Sequence, residues 1–201
     1  MTTAAPLIVS ISGIRGVVGQ SLTDEVVARF AAAFGTTVDP GATVVLARDT
    51  RPSGANFAQV AAKALSQTGC RVVDLGQCST PGAKLLVTQL DAQGAIVITA
   101  SHNPAPWNGL KLVRADGIFL NAEEGQRVEI LFHSGEFRQA QGGSIATLDP
   151  AEVKARHLQQ ILSHVDADAI RQARFKVAVD PCNGVGAPLA RTMAQVAFEE
   201  L

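Results

Sequence analysis

Ser101, His102 and Asn103 stand together in Thr99-Ala100-Ser101-His102-Asn103-Pro104, and a lysine follows at Lys111 inside the apolar run Leu110–Val113. A serine becomes a nucleophile when a base and positive charge lie near it. Sequence adjacency does not make Ser101 and His102 a hydrogen-bonded dyad. No G-x-S-x-G turn surrounds the serine and no acidic triad member is identifiable, which argues against a serine hydrolase. Two other polar loops offer positive charge: Arg15 in Ile11–Gly19, and Arg48 and Arg51 in Arg48–Gly54. Arginine makes paired, charge-assisted hydrogen bonds to phosphate, so the three loops together suit an anionic ligand, phosphate above all. Each feature also has a plainer reading. Arg48-Asp49-Thr50-Arg51 suits an internal salt-bridge and capping cluster. Gly13 and Gly16 suit a tight turn. Lys111 alternates with Leu110 and Leu112, which points it either to solvent or into a cleft.

Positioning these residues requires a sheet. Val44–Ala47, Val72–Leu75 and Ala95–Thr99 read as short apolar strands, and Phe175–Val179 as one more. Leu110–Val113 and Ile118–Leu120 flank Asp116-Gly117, a hairpin turn signal. Helical spacing lies between them. Thr23 can cap a helix through Phe34, and Ser53 can cap another that Gly69 ends. Thr80-Pro81 opens a third, since proline suits a first turn. Ala122–Phe132 and Ala151–Leu162 read as two more. Strands joined by helical crossovers are expected to be parallel, and the Asp-Gly hairpin adds an antiparallel one, giving a mixed α/β sheet. Ligands of such sheets bind beyond the carboxyl ends of the strands, where the three polar loops fall. Asp166–Arg174 reads as a linker. The last residues read as a strand, a Gly-rich turn and a helix.

Composition narrows the function classes. The 201 residues are 47% hydrophobic and 17% charged, with net charge −1. Such a chain buries a core and has no general attraction to nucleic acid or an acidic membrane surface. Cys70, Cys78 and Cys182 form neither a disulfide framework nor a C-x-x-C metal pair. The N-terminus lacks the basic start and apolar length of a signal peptide, and no run approaches the ~20 apolar residues of a membrane span. A cytoplasmic protein is expected. A nucleotide-binding P-loop is missing, and Leu189 stands where a dinucleotide fingerprint after Gly184 and Gly186 needs its third glycine.

Four segments, in order, resemble the N-terminal part of the α-D-phosphohexomutases: phosphoglucomutase, phosphomannomutase and phosphoglucosamine mutase. They are Ser12–Gly19 (SGIRGVVG), Ala47–Gly54 (ARDTRPSG), Thr99–Pro104 (TASHNP) with Asn108–Val113 (NGLKLV) after it, and Val177–Gly186 (VAVDPCNGVG). The resemblance implies a three-layer mixed sheet with helices on both faces over residues 1–165, and a linker with the start of a second similar domain over 166–201. It implies that Ser101 carries a phosphoryl group and that His102 and Lys111 serve in acid–base or electrostatic roles. Arg15 would neutralise the phosphoryl group, with Asn103 beside it in the substrate site. It further implies Mg2+ held in part by the serine phosphate, with hexose phosphate as substrate and a hexose bisphosphate as intermediate. The family's aspartate-rich metal loop, D-G-D-x-D-R, is not found in these residues. The expectation is therefore a fragment inactive by itself. A non-catalytic phosphate- or phosphosugar-binding module is the rival reading, and the identity of the sugar is open.

Overall fold

The computed structural model describes residues 5–10 and 13–197. Seven strands form one mixed sheet in the order β1-β2-β6-β5-β3-β4-β7. The strands are β1 (Ile8–Ser10), β2 (Gly13–Val17), β3 (Thr43–Arg48), β4 (Arg71–Gln77), β5 (Gly94–Ile98), β6 (Trp107–Arg114) and β7 (Ser144–Thr147). The helices are α1 (Asp24–Thr37), α2 (Gly54–Gln67), α3 (Thr80–Gln89), α4 (Ala122–Ser134), α5 (Pro150–Leu162), α6 (Ala167–Ala173) and α7 (Ala187–Ala197). The expected parallel pairing through helical crossovers is found: β3 lies parallel to β4 and β5, and β4 to β7.

Alternation along the strands divides the core between two layers. Leu46, Ile96, Ile98, Leu110 and Leu112 pack under Phe30, Phe57, Leu65 and Val128 from α1, α2 and α4. Val45, Ala47, Val97 and Val113 pack under Ala83, Leu86 and Val87 of α3 and Val153 of α5. Strands β3 and β5 are apolar without alternation because both of their faces are covered. On the first face, Phe30 stacks on Phe132 at 3.9 Å between ring centroids.

Most helix boundaries follow their cap residues. The Thr23 hydroxyl accepts from the Val26 amide, and Asn121 with Glu124 forms a reciprocal capping box. The residue that caps α3 is Ser79, one position before Thr80-Pro81. Ser53 occupies the N-cap of α2 without capping it: its backbone is right-handed helical (φ −74, ψ −11) rather than extended, and its hydroxyl accepts from Asn108 Nδ2 at 2.8 Å.

Three expectations are corrected, and the Asp166–Arg174 segment gains a short helix. Gly13–Val17 is a strand rather than a loop, held antiparallel to β6. It shows no apolar alternation because its contact is backbone against backbone: a Cβ on Gly109 would come within 2.3 Å of the Ile14 carbonyl oxygen. The Asp116-Gly117 turn exists, but Ile118–Leu120 returns only a single bridge, Val113 to Phe119, and the antiparallel ladder partners of β6 are β2 and β5. Asp166–Arg174 contains a short helix, α6, with the Asp166 carboxylate accepting from Ala169. Phe175–Val179 is not a strand. Phe175 is 62% exposed and Val179 58%, and no ladder partner reaches them among the described residues. A strand needs a neighbour to satisfy its backbone groups.

Candidate active site

Strands β3 and β5 run parallel and end side by side at Arg48 and Ile98. The chain leaves β5 through Thr99 and Ala100 and reaches Ser101 with φ +57, the left-handed region that L residues other than Asn, Asp and Gly seldom occupy. The antiparallel return in β6 puts Lys111 opposite Val97. The Lys111 ammonium donates to Ser101 Oγ at 3.1 Å. Register explains how a lysine on a strand reaches a loop serine: two antiparallel strands joined by a short loop bring their facing ends together.

Lys111 lies on the sheet face of Val113, opposite Leu110 and Leu112, as alternation requires. Arg15 pairs with Gly109 in β2–β6 register, which sets it on the same face, two residues along from Lys111. Burial first, and then the positive charges of Arg15 and Lys84, hold the Lys111 ammonium below its ordinary 10.5. The Phe119 ring partly offsets this, with Lys84 Nζ 4.8 Å and Lys111 Nζ 5.4 Å from its centroid. A serine oxygen, a desolvated lysine and an arginine therefore share one edge of the sheet. No carboxylate makes an ion pair with Arg15, Lys84 or Lys111 among the described residues.

The remaining sequence candidates fall differently. His102 is exposed and makes no hydrogen bond among the described residues; Asn103 is half-buried, and its carbonyl accepts from Arg51 Nη2 at 2.7 Å. Arg51 was a candidate anion ligand, and the structure gives it the plainer role. Its Nε donates to Asp49 Oδ2 at 3.2 Å. Its Nη1 donates to the carbonyls of Pro104 and Trp107 at 3.0 and 2.7 Å. Its Nη2 donates to those of Ser101 and Asn103 at 3.0 and 2.7 Å. A guanidinium has five N–H donors, so none remains for an anion. Arg48 stays half-buried with its stem beside Gly54. Asp49 and Thr99, which the sequence reading did not single out as site residues, complete the arrangement: the Thr99 hydroxyl donates to Asp49 Oδ2 at 2.7 Å and accepts from the Ser101 amide at 3.0 Å. The signal available was an acid two residues before an arginine, at the end of a strand parallel to the serine strand.

The described residues hold no cluster of three or more His, Cys, Asp or Glu side chains suited to a metal ion. Asp49, the carboxylate tied into the serine loop, is committed to Arg51 and Thr99. The side chains in place do not by themselves amount to a magnesium site. Nor do thiols enter: burial pushes the Cys78 thiol up to about 11, and Cys70, Cys78 and Cys182 are all free. No helix among the described residues is long and apolar enough to cross a membrane.

Comparison with known proteins places the chain in a family. Over 177 residues the chain is 37% identical to a phosphoglucosamine/phosphogalactosamine mutase of Sulfurisphaera tokodaii, covering 87% of this chain and 39% of that protein. It is 36% identical over 178 residues to a phosphoglucomutase/phosphomannomutase of Thermococcus kodakarensis, with the same coverage of 87% and 39%. The chain thus spans about two fifths of the length of these relatives. A crystal structure described as a putative phosphomannomutase from Thermus thermophilus superposes with a TM-score of 0.82 at 30% identity, covering 96% of this chain and 44% of that one. Residues 7–139 match the model of phosphoglucomutase/phosphomannomutase α/β/α domain I, so the chain belongs to the phosphoglucomutase/phosphomannomutase family.

Proposed function

We propose that this chain is the phosphoserine-bearing part of a phosphohexose mutase, an isomerase that moves phosphate between the C1 and C6 oxygens of a hexose phosphate. The observation that carries the reading is the Lys111 ammonium donating to Ser101 Oγ at 3.1 Å, at the carboxyl edge of the parallel strands and with no carboxylate ion-paired to it among the described residues. In the proposed cycle a hydroxyl of the sugar phosphate attacks phosphoserine 101. The new O–P bond forms as the P–Oγ bond breaks, and the departing Oγ takes the proton of Lys111. The sugar hydroxyl loses its proton to a base, and exposed His102 is the candidate in this chain. The resulting hexose bisphosphate turns over; Ser101 Oγ attacks its other phosphate as the sugar O–P bond breaks, and the freed sugar oxygen takes back the proton held by His102. In that direction Lys111, as the amine, receives the serine proton, and burial with neighbouring positive charge favours the amine.

Phosphoryl transfer depends mostly on in-line positioning and on neutralising the charge of the transferring group. Arg15 and Lys111 supply two positive charges at the site, and Asn103 stands beside them in the proposed substrate surface. A phosphoryl group on Ser101 would offer one hard oxygen to Mg2+, whose electrophilic help the family resemblance implies. Residues 166–201 are read as a linker and the opening of a second domain, and the setting as cytoplasmic. The sugar is a hexose phosphate, with glucose, mannose and glucosamine phosphates all fitting the reading.

The test is the mass of the peptide carrying Ser101, from the protein isolated from its own cells and treated with hexose 1,6-bisphosphate. Phosphate on Ser101 is the expected result. An unmodified Ser101 after that treatment sinks the phosphoserine mechanism and favours a module that only binds phosphosugars.

A further inference from the structure

The carbonyl groups of Ser101, Asn103, Pro104 and Trp107 converge on one guanidinium, that of Arg51. The loop needs such a partner for a chemical reason. Pro104 and Pro106 remove two backbone donors from a short segment, so it carries more acceptors than donors of its own. Water could satisfy those carbonyls in an open loop, but Arg51 is half-buried, as Asn103 and Trp107 are. An arginine meets the need because its rigid planar fork carries five donors, whereas a lysine has three on one point. Asp49 fixes the orientation of the fork from behind: one oxygen accepts from the Arg51 backbone amide at 3.0 Å, the other from Arg51 Nε at 3.2 Å. The same carboxylate takes the Thr99 hydroxyl, whose oxygen in turn takes the Ser101 amide. Ser53 adds a second tie through Asn108. These links from Asp49, Arg51 and Ser53 all end on the backbone or on a structural side chain of the serine loop.

We propose that Arg51, oriented by Asp49 and Thr99, is the positioning residue that holds the serine loop in its strained form and aims Ser101 Oγ at Lys111. It is not an anion ligand. A left-handed serine persists only where its surroundings over-determine it, and the Arg51 and Thr99 bonds grip Ser101 at its carbonyl and its amide. The proposal rests on the proposed function only for the consequence in catalysis; the structural part stands without it.

Amide hydrogen exchange tests it directly. The amides of Ser101, Asn103, Trp107 and Val18 are bonded within or onto this loop. Arg51→Lys keeps the charge and loses the fork. It should speed exchange of these four amides by about tenfold or more, while the amides of β5 stay unchanged. Exchange at the wild-type rate in Arg51→Lys overturns the proposal. Should Arg51→Lys fail to fold, Thr99→Val removes one link with little change of shape, and the Ser101 amide alone must then accelerate. The second readout is kinetic, in the whole enzyme. Arg51→Lys should lower kcat about 100-fold with KM within about threefold of wild type, as expected for lost alignment. A raised KM with unchanged kcat means that Arg51 touches substrate and overturns the proposal. If wild-type Ser101 takes up no phosphate, the phosphoserine reading fails, while the exchange result still decides the role of Arg51.

Discussion

Lys111 is a residue whose environment changes its chemistry. Removing the positive charge of Lys84 lets the Lys111 ammonium keep its proton to higher pH. In the proposed direction that phosphorylates Ser101, the amine would be the reactive form, so the rate should rise with pH along a limb whose midpoint lies below 10.5. Lys84→Met should move that midpoint upward in a pH–rate profile, and Lys111→Met should remove the limb and lower the rate by about 100-fold or more. A midpoint unmoved by Lys84→Met argues against coupling of the two lysines. Ser101 carries a second prediction at this scale. Its φ of +57 favours glycine, so Ser101→Gly should be more stable than Ser101→Ala by about 1 kcal/mol in thermal or urea unfolding. Both variants lose the hydroxyl, so the difference isolates the backbone. Equal stabilities would show that the loop does not hold Ser101 left-handed.

Among the elements, β2 owes its place to close backbone contact with β6. A Cβ on Gly109 would lie 2.3 Å from the Ile14 carbonyl oxygen and 3.0 Å from that of Thr99. Gly109→Ala must therefore push β2 away from β6, costing about 1–3 kcal/mol. The same displacement moves Arg15, which pairs with Gly109, so the variant should also weaken phosphate binding measured by titration with inorganic phosphate. Full stability with unchanged phosphate affinity would contradict this reading of the hairpin. Far from the site, Arg138 uses the same chemistry as Arg51. Its guanidinium donates to the carbonyls of Thr68, Val38 and Gly35 at 2.7, 2.5 and 2.7 Å, tying the segment after α4 to the ends of α1 and α2. Arg138→Met leaves those carbonyls without their donor and should cost about 2–3 kcal/mol, read in urea unfolding. The loss should not be rescued by lysine, which lacks the fork.

For the molecule as a whole, the covered sheet and the exposed tail part company. Both faces of β3 and β5 lie under helices, whereas Phe175, Val177 and Val179 are exposed. Hydrogen exchange should find the amides of β3 and β5 the slowest of the chain and those of residues 175–179 close to unprotected rates. Strong protection in 175–179 would mean that they pair with something in solution.

Local signals in the sequence determined the α/β class, the crossover strands and most helix starts, because apolar runs, cap residues and the Thr80-Pro81 step act over a few neighbouring positions. The T-A-S-H-N-P and N-G-L-K segments marked Ser101 and Lys111 as candidate site residues. Tertiary structure alone decided that β6 returns beside β5, so that Lys111 meets Ser101. It also made a strand of Gly13–Val17, whose partner backbone lies far along the chain. The role of Arg51 was invisible for the same reason. Nothing local separates an arginine that awaits an anion from one already surrounded by carbonyls, and those carbonyls belong to residues 101–107. Phe175–Val179 shows the converse: an apolar alternating run is a strand only when another backbone is there to pair with it.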